Sequence, residues 1–263
     1  MSVVSLVVSV GLNIELCTIS VARTPVLQQL GNQIHVWSAA LSEFECNLPR
    51  FLAMLSSVER AKAGRFRFTK DRDYYVIRHG ILRVILARYL GRLPSEIVFG
   101  YGRFGKPEIK SDSVHRRLNF NNSHSNDLAL YAVTLACPVG VDVEKLRPVP
   151  NLEEVASRFF SPRETETLMA LPSERRTEAF LSCWTRKEAF LKATGEGLAK
   201  VEITPTSEEE TEIFHVDGDS RAQAAWQLRS FSPAPGYLAA LAFRHRGLGL
   251  SQWRVHGLLD LGA

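Results

Sequence analysis

In the stretch VGVDVEK, Val139, Val141 and Val143 alternate with Gly140, Asp142 and Glu144. A strand period of two places both carboxylates on one face, about 7 Å apart along the strand. That pairing suits a hard divalent cation such as Mg²⁺, which takes a few carboxylates and fills its remaining positions with water and phosphate oxygens. A third acid, Glu188, lies in FLSCWTRKEAFLKATGEGL. At helical spacing it falls within an apolar stripe of Phe180, Leu181, Trp184 and Leu191, with Lys192 one turn further on. A bare carboxylate in such a stripe is costly to bury, so it needs a metal, a cation or a proton. The polar face of an edge strand would account for Asp142 and Glu144 alone. Glu188 tips the reading toward three acids around one metal.

A polyphosphate is the natural partner of that metal. Between Arg60 and Arg117 there are fifteen Lys or Arg residues against five acids, a surplus that favours a polyanion. Within this basic half, GKPEI offers Lys106 in a Gly-Pro loop, and NNSHS offers Ser123 and His124 at a strand end as hydrogen-bond donors to phosphate oxygens. Read singly, these residues fit solvated helix faces, a common turn and a structural histidine equally well. The usual nucleotide and hydrolase signatures are missing: there is no Walker loop, G-x-G-x-x-G, H-E-x-x-H or G-x-S-x-G.

The elements that must position these residues follow from periodicity and punctuation. IHVWSAAL reads as a strand, LPRFLAMLSSVERAKAGRF as one helix, and KDRDYYVIRHGILRVILARYLG as a long amphipathic helix stopping at Gly91. IVFGYGRFGKPEI is a loop between short strands. RLNFNNSHSNDLALYAVTLACPVGVDVEKL gives three strands, with turns at Ser125-Asn126-Asp127 and around Pro138-Gly140, and RPVPN is a linker. FFSPRETE starts a helix with Ser161 as cap, Pro162 at the first position and Glu164 completing a capping box. A second helix runs from Ser173 to Thr194 and ends at Gly195 and Gly197. Strands follow near Glu212–Val216, Ala224–Phe231, Tyr237–Phe243 and Gln252–Val255, with a turn at Asp217-Gly218. Helices followed by antiparallel strands thus occur twice, which predicts an α+β protein of two similar halves. The divisions are a lead of unassigned role at 1–33, a first subdomain at 34–147 and a second at 148–263.

The whole chain agrees with a soluble enzyme. Its 263 residues and net charge of +4 are ordinary for a globular protein with a sizeable core. Cys17, Cys46, Cys137 and Cys183 are scattered, with no C-x-x-C pair, which fits a reducing cytoplasm better than a disulfide framework or a zinc site. The apolar start MSVVSLVVSVGLNIEL has no preceding basic residue and is too short to span a membrane. It is compatible with a short extra strand, a disordered lead-in or a wrongly assigned translation start.

Taken in order, GKP, FNNSHS, GVDVEKLRP, FFSPRE and WTRKEAFLKATGEGL resemble the signature set of the 4'-phosphopantetheinyl transferases, in particular the long, two-subdomain Sfp-type members. The resemblance runs from about Ile34 to Phe243, and both G-[VI]-D-[VI]-E and W-x-x-K-E-A-x-x-K are intact. It implies two subdomains related by pseudo-twofold symmetry, with the active site in the cleft between them. It also implies Mg²⁺ on Asp142, Glu144 and Glu188, and coenzyme A against Lys62, Arg67, Lys106, Ser123 and His124. A serine of an apo acyl or peptidyl carrier protein would attack coenzyme A and release 3',5'-ADP, with Glu188 and Lys192 as catalytic groups. Trp184 and Lys187 are expected to be structural, the first in the core and the second a surface or carrier-facing cation. A monomer without nucleic-acid or membrane partners is implied. The competing readings are another Mg²⁺-dependent phosphoryl or nucleotidyl transferase, and a basic nucleotide- or RNA-binding module without catalysis. The second gives no reason for an acid in the Trp184 stripe.

Overall fold

Capping chemistry divides the helical segments. The single helix expected over LPRFLAMLSSVERAKAGRF is two, α1 (Leu48–Met54) and α2 (Ser57–Ala63). Leu55 and Ser56 are extended between them, and Ser56 opens the second with a capping box closed by Glu59. Local side-chain bonding to the backbone overrode the continuous apolar spacing. The computed structural model describes residues 4–10, 13–19, 30–102, 105–110, 118–135, 137–195, 201–203, 210–211, 213–216, 226–244 and 248–255. Gly197 and the turn expected at Asp217-Gly218 lie outside these.

Before α1 come β1 (Val4–Val10), β2 (Asn13–Ile19) and β3 (Gln33–Ala40). After α2 come α3 (Thr69–Leu90), a short hairpin of β4 (Phe99–Tyr101) and β5 (Pro107–Ile109), and then β6 (Asn119–Ser125), β7 (Leu128–Thr134) and β8 (Val139–Lys145). The second run has α4 (Leu152–Phe159), α5 (Pro162–Met169) and α6 (Ser173–Thr194). It closes with β9 (Val201–Ile203), β10 (Glu210–Thr211), β11 (Ile213–Val216), β12 (Gln227–Phe231), β13 (Tyr237–Phe243) and β14 (Gly249–Arg254). The Ser161–Glu164 capping box forms as expected, and α3 and α6 stop at Gly91 and Gly195, both left-handed at φ 62° and 67°.

Two larger sheets carry the architecture. One has the order β2-β1-β14-β3-β7-β6 and the other β10-β12-β13-β8. Two strands therefore join the sheet that chain order would not suggest. β8 pairs antiparallel with β13, Asp142 opposite Ala240, while β14 lies parallel to β3, Gly249 opposite Gln33. The lead supplies β1 and β2, with β1 joined to β14.

Three apolar clusters order the layers. Helices α1 to α3 cover one face of the first sheet through residues such as Phe51, Ile81, Trp37 and Tyr131. The sheets share a core of Ile34, Val36, Leu130, Val141, Val143, Leu241 and Phe243. Helices α4 to α6 cover the outer face of the second sheet through Phe160, Phe180, Phe190, Ala240 and Ala242. The result is an α+β stack of helices, sheet, sheet and helices. Among the described residues no helix is long and apolar enough to cross a membrane.

Candidate active site

The edge strands β6 and β8 belong to different sheets, and side chains rather than backbone ladders join them. Three alternate residues of β6 reach β8. Asn121 Oδ1 accepts from the Val141 amide (2.9 Å), Ser123 donates to Asp142 Oδ1 (2.7 Å), and Ser125 donates to Glu144 Oε2 (2.8 Å). The strand period puts these three polar groups on one face, so NNSHS acts as a polar zipper along VGVDVEK. On β8 the valines fill the shared core while Asp142 and Glu144 face the other way, as the alternation predicts.

Helix α6 closes the site from the opposite side, and Gly140 sets its distance. A β-carbon at Gly140 would overlap the Ala189 carbonyl oxygen and the Ala193 amide nitrogen. Its absence, with alanines at both helix positions, lets strand and helix backbones touch. Lys192 then extends over β8, its ammonium 2.5 Å from Asp142 Oδ1 and 3.0 Å from Ser123 Oγ. Ser123, Asp142 and Lys192, drawn from two sheets and a helix, form one hydrogen-bonded group.

Glu188 does not sit within the buried stripe that sequence spacing suggested. The buried face of α6 includes Phe180, Leu181, Cys183, Ala189, Phe190 and Ala193, whereas Trp184 and Leu191 are only partly buried. Small residues, which the stripe did not count, are what the strand packs against. Glu188 is half-buried at the flank facing β8. Burial and the carboxylates Asp142 and Glu144 push its carboxyl above the usual range, against the pull of Lys192. Burial and Asp142 raise Glu144 likewise, against the Ser125 hydrogen bond and the cations Arg147 and Lys192. Burial is the larger cause in both cases.

Among the described residues no three acidic, histidine or cysteine side chains stand at metal-holding spacing. The donor chemistry nevertheless suits a hard cation. Asp142 Oδ2 is buried without any hydrogen-bond partner, burial holds up the carboxyls of Glu144 and Glu188, and every donor is oxygen.

The other expected ligand-binding residues are spread more widely. Lys106 donates to the carbonyls of Ala193 (3.1 Å) and Val139 (3.3 Å), tying the β4–β5 hairpin to the end of α6. Burial lowers its pKa, against Glu108. His124 leaves β6 on the side opposite Ser123 and meets Arg78 of α3, whose Nη1 lies 2.6 Å from its Nε2. The surrounding protein, then Arg78 and Lys192, press its pKa down to about 4, so it is neutral at pH 7. Lys62 and Arg67 are exposed, against the Tyr75 ring (5.7 Å) and the Phe68 ring (5.4 Å) respectively. Neither bonds to the Ser123–Asp142–Lys192 group. Lys187 is no surface cation: it pairs at 2.8 Å with the buried Glu164, whose Oε1 also accepts from the Ile203 amide. Sequence reading passed over Asn121, Ser125 and Arg78, although the alternation in NNSHS already carried the first two.

Comparison with known proteins places the chain among relatives of one family. A family model described as "4'-phosphopantetheinyl transferase superfamily" matches residues 138–242, and one described as "4'-phosphopantetheinyl transferase, N-terminal" matches residues 35–136. The chain is 40% identical over 225 residues to the 4'-phosphopantetheinyl transferase HetI of Nostoc sp. (strain PCC 7120), covering 84% of this chain and 91% of that protein. It is 29% identical over 202 residues to the 4'-phosphopantetheinyl transferase Sfp of Bacillus subtilis (strain 168), covering 74% and 85%.

Proposed function

The chain belongs to the 4'-phosphopantetheinyl transferase superfamily, and from that membership we propose that it moves the 4'-phosphopantetheine group of coenzyme A to a serine of an apo carrier protein. The observation that carries the reading is the joining of Ser123, Asp142 and Lys192 beside the half-buried acids Glu144 and Glu188. Such a site can hold a pyrophosphate and a divalent cation together. We assign it to a cleft between two subdomains, 34–147 and 148–263, related by pseudo-twofold symmetry and exchanging β8 and β14 between their sheets. The protein acts as a cytoplasmic monomer in this reading.

Each residue has a task that its chemistry supports. Asp142, Glu144 and Glu188 would hold Mg²⁺, which when bound neutralises charge on the pyrophosphate. Ser123 and Lys192 donate to phosphate oxygens, Lys192 following charge onto the leaving phosphate. Lys62, Arg67, Lys106 and His124 bind other parts of coenzyme A. The carrier serine Oγ forms a bond to the pantetheine-side phosphorus as the bridging P–O bond breaks, and 3',5'-ADP departs. The serine proton passes to Glu188, directly or through water. Positioning and charge neutralisation suffice, so no covalent enzyme intermediate is needed. An RNA-binding module would leave the β8 and α6 acids without a use.

Incubating the protein with Mg²⁺, coenzyme A and a panel of apo carriers, followed by intact-mass spectrometry, tests the proposal. One carrier gaining a phosphopantetheine on a serine is the expected result. No gain on any fatty-acid, polyketide or peptide carrier would overturn it.

A further inference from the structure

The two carboxylates of β8 are held unequally. Asp142 Oδ1 takes both the Ser123 hydroxyl and the Lys192 ammonium, whereas the Glu144 carboxyl has one hydrogen-bond partner among the described residues, Ser125. Ser125 is buried, and both sides of its hydroxyl are committed. An ionised carboxylate offers only acceptors, so the hydroxyl hydrogen lies toward Glu144 Oε2 (2.8 Å) while the Lys145 amide donates to the same Oγ (3.1 Å). The backbone beneath is equally fixed. Ser125 ends β6 opposite Leu128, and the turn between them contains a left-handed Asn126 (φ 50°). Asp127 fastens that turn to the segment before α1: its carbonyl accepts from the Leu41 amide (2.7 Å), and its carboxylate takes the amide (2.8 Å) and the hydroxyl (2.7 Å) of Ser42.

This arrangement leaves one oxygen open on each acid. Asp142 Oδ2 is buried without a hydrogen-bond partner, and Glu144 Oε1 accepts no hydrogen bond from the described residues. We propose that Ser125 is a positioning residue for the divalent cation, holding Glu144 by one oxygen so that the other is kept available on the same strand face as Asp142. A glutamate side chain has three torsions, and their freedom is lost when a cation binds. Ser125 removes part of that freedom beforehand, which strengthens binding although Ser125 itself never touches the cation. Asp142 depends less on its serine, because Lys192 holds the same oxygen. The inference rests on the proposed function for its cation and concerns only the protein groups that receive it.

Titration of the whole chain with Mn²⁺, read by electron paramagnetic resonance with and without coenzyme A, tests it in the unaltered protein, Ser125→Ala and Ser125→Thr. Ser125→Ala should bind Mn²⁺ about 10- to 100-fold more weakly, and Ser125→Thr, which keeps the hydroxyl, should recover most of the affinity. In carrier modification the Mg²⁺ concentration giving half the maximal rate should rise in Ser125→Ala, with kcat at saturating Mg²⁺ within about threefold of the unaltered value. Unchanged Mn²⁺ affinity in folded Ser125→Ala, a loss of rate that excess Mg²⁺ does not restore, or no Mn²⁺ binding by the unaltered chain each overturns the inference. A lowered melting temperature with Mn²⁺ affinity per folded molecule retained makes Ser125 structural and overturns it too. If Mn²⁺ binds and weakens in Ser125→Ala but no carrier is modified, the function proposed above fails and the role of Ser125 stands. If carriers are modified and Ser125→Ala binds Mn²⁺ as the unaltered chain does, the reverse holds.

Discussion

Arg83 stands eight residues before Gly91, and Lys187 stands eight residues before Gly195. Each closes an ion pair with the buried glutamate of a Ser-x-x-Glu capping box, Glu59 in the first half and Glu164 in the second. Both long helices have 22 residues and end on a left-handed glycine, so matching them from their ends is straightforward. On that count Glu188 matches the buried Val84, and Lys192 matches Arg88. The brace is common to both helices, whereas the acid and the lysine that reach the strand edge are found on one. The scaffold that positions chemistry and the residues that perform it can therefore be altered independently, and each prediction below tests one side of that separation.

The largest expected effect falls on the helix that carries the chemistry. Glu188→Gln or Asp142→Ala should reduce carrier modification about a thousand-fold or more, equivalent to about 4 kcal/mol or above, with the melting temperature kept. Val84→Leu, at the matching place on α3, should leave kcat within about threefold. Near-normal transfer by a folded Glu188→Gln would end the assignment of chemistry to α6.

Next come the braces. Arg83 is 1% exposed, so Glu59→Gln leaves a buried, uncompensated guanidinium and should cost about 3–5 kcal/mol in denaturant unfolding. Lys187 keeps 12% exposure and can extend toward water, so Glu164→Gln should cost less, about 1–3 kcal/mol. Equal losses would show that arginine and lysine serve alike here. The pH dependence has a definite sign. Burial pushes the Glu59 carboxyl up, but hydrogen bonds from Arg83 and Ser56 outweigh it and hold the pKa below the ordinary 4.5. Its contribution is complete above that value and is lost as pH falls through the lower, folded one. Acid melts of the unaltered protein and Glu59→Gln should converge as pH drops below about 4.5.

Lys192→Met should lower kcat about a hundred-fold, roughly 2.7 kcal/mol, with folding little affected, while Arg88→Met should leave kcat unchanged. A collapse in melting temperature with kcat per folded molecule retained would make Lys192 structural. The smallest difference is expected at the helix ends. Gly91→Ala and Gly195→Ala should each cost about 1 kcal/mol, since both are strained for an L side chain and neither site is crowded. Unequal costs would mean that the hold of Lys106 near Gly195 alters the cap.

Much of this was legible in the sequence because it depends on local rules. Alternation in VGVDVEK gave the carboxylate face, Ser161-Pro162 with Glu164 gave the start of α5, and Gly91 and Gly195 gave the helix stops. What escaped depends on distant partners. Apolar spacing could not show that α6 buries Ala189 and Ala193 against Gly140, because the close approach is a property of the pair. Nor could it show that Lys187 is engaged by Glu164. The one-helix reading of residues 48 to 66 failed for a local reason: Ser56 and Glu59 form a capping box whose signal was present and was outweighed by Leu and Phe spacing.

The parallel pairing of β14 with β3 bears on the order of events when the chain is made. Gln33 and Gly249 are more than two hundred residues apart, yet they are neighbours in one ladder. A ribosome releases β3 and its antiparallel partner β7 early, while the other edge of β3 must wait until nearly the whole second half has been synthesised. Contacts of such sequence separation form late and slowly. Until then the open edge of β3 can recruit strands of other chains. A first half produced alone would keep that edge, so self-association rather than a well-behaved half-molecule is its expected fate.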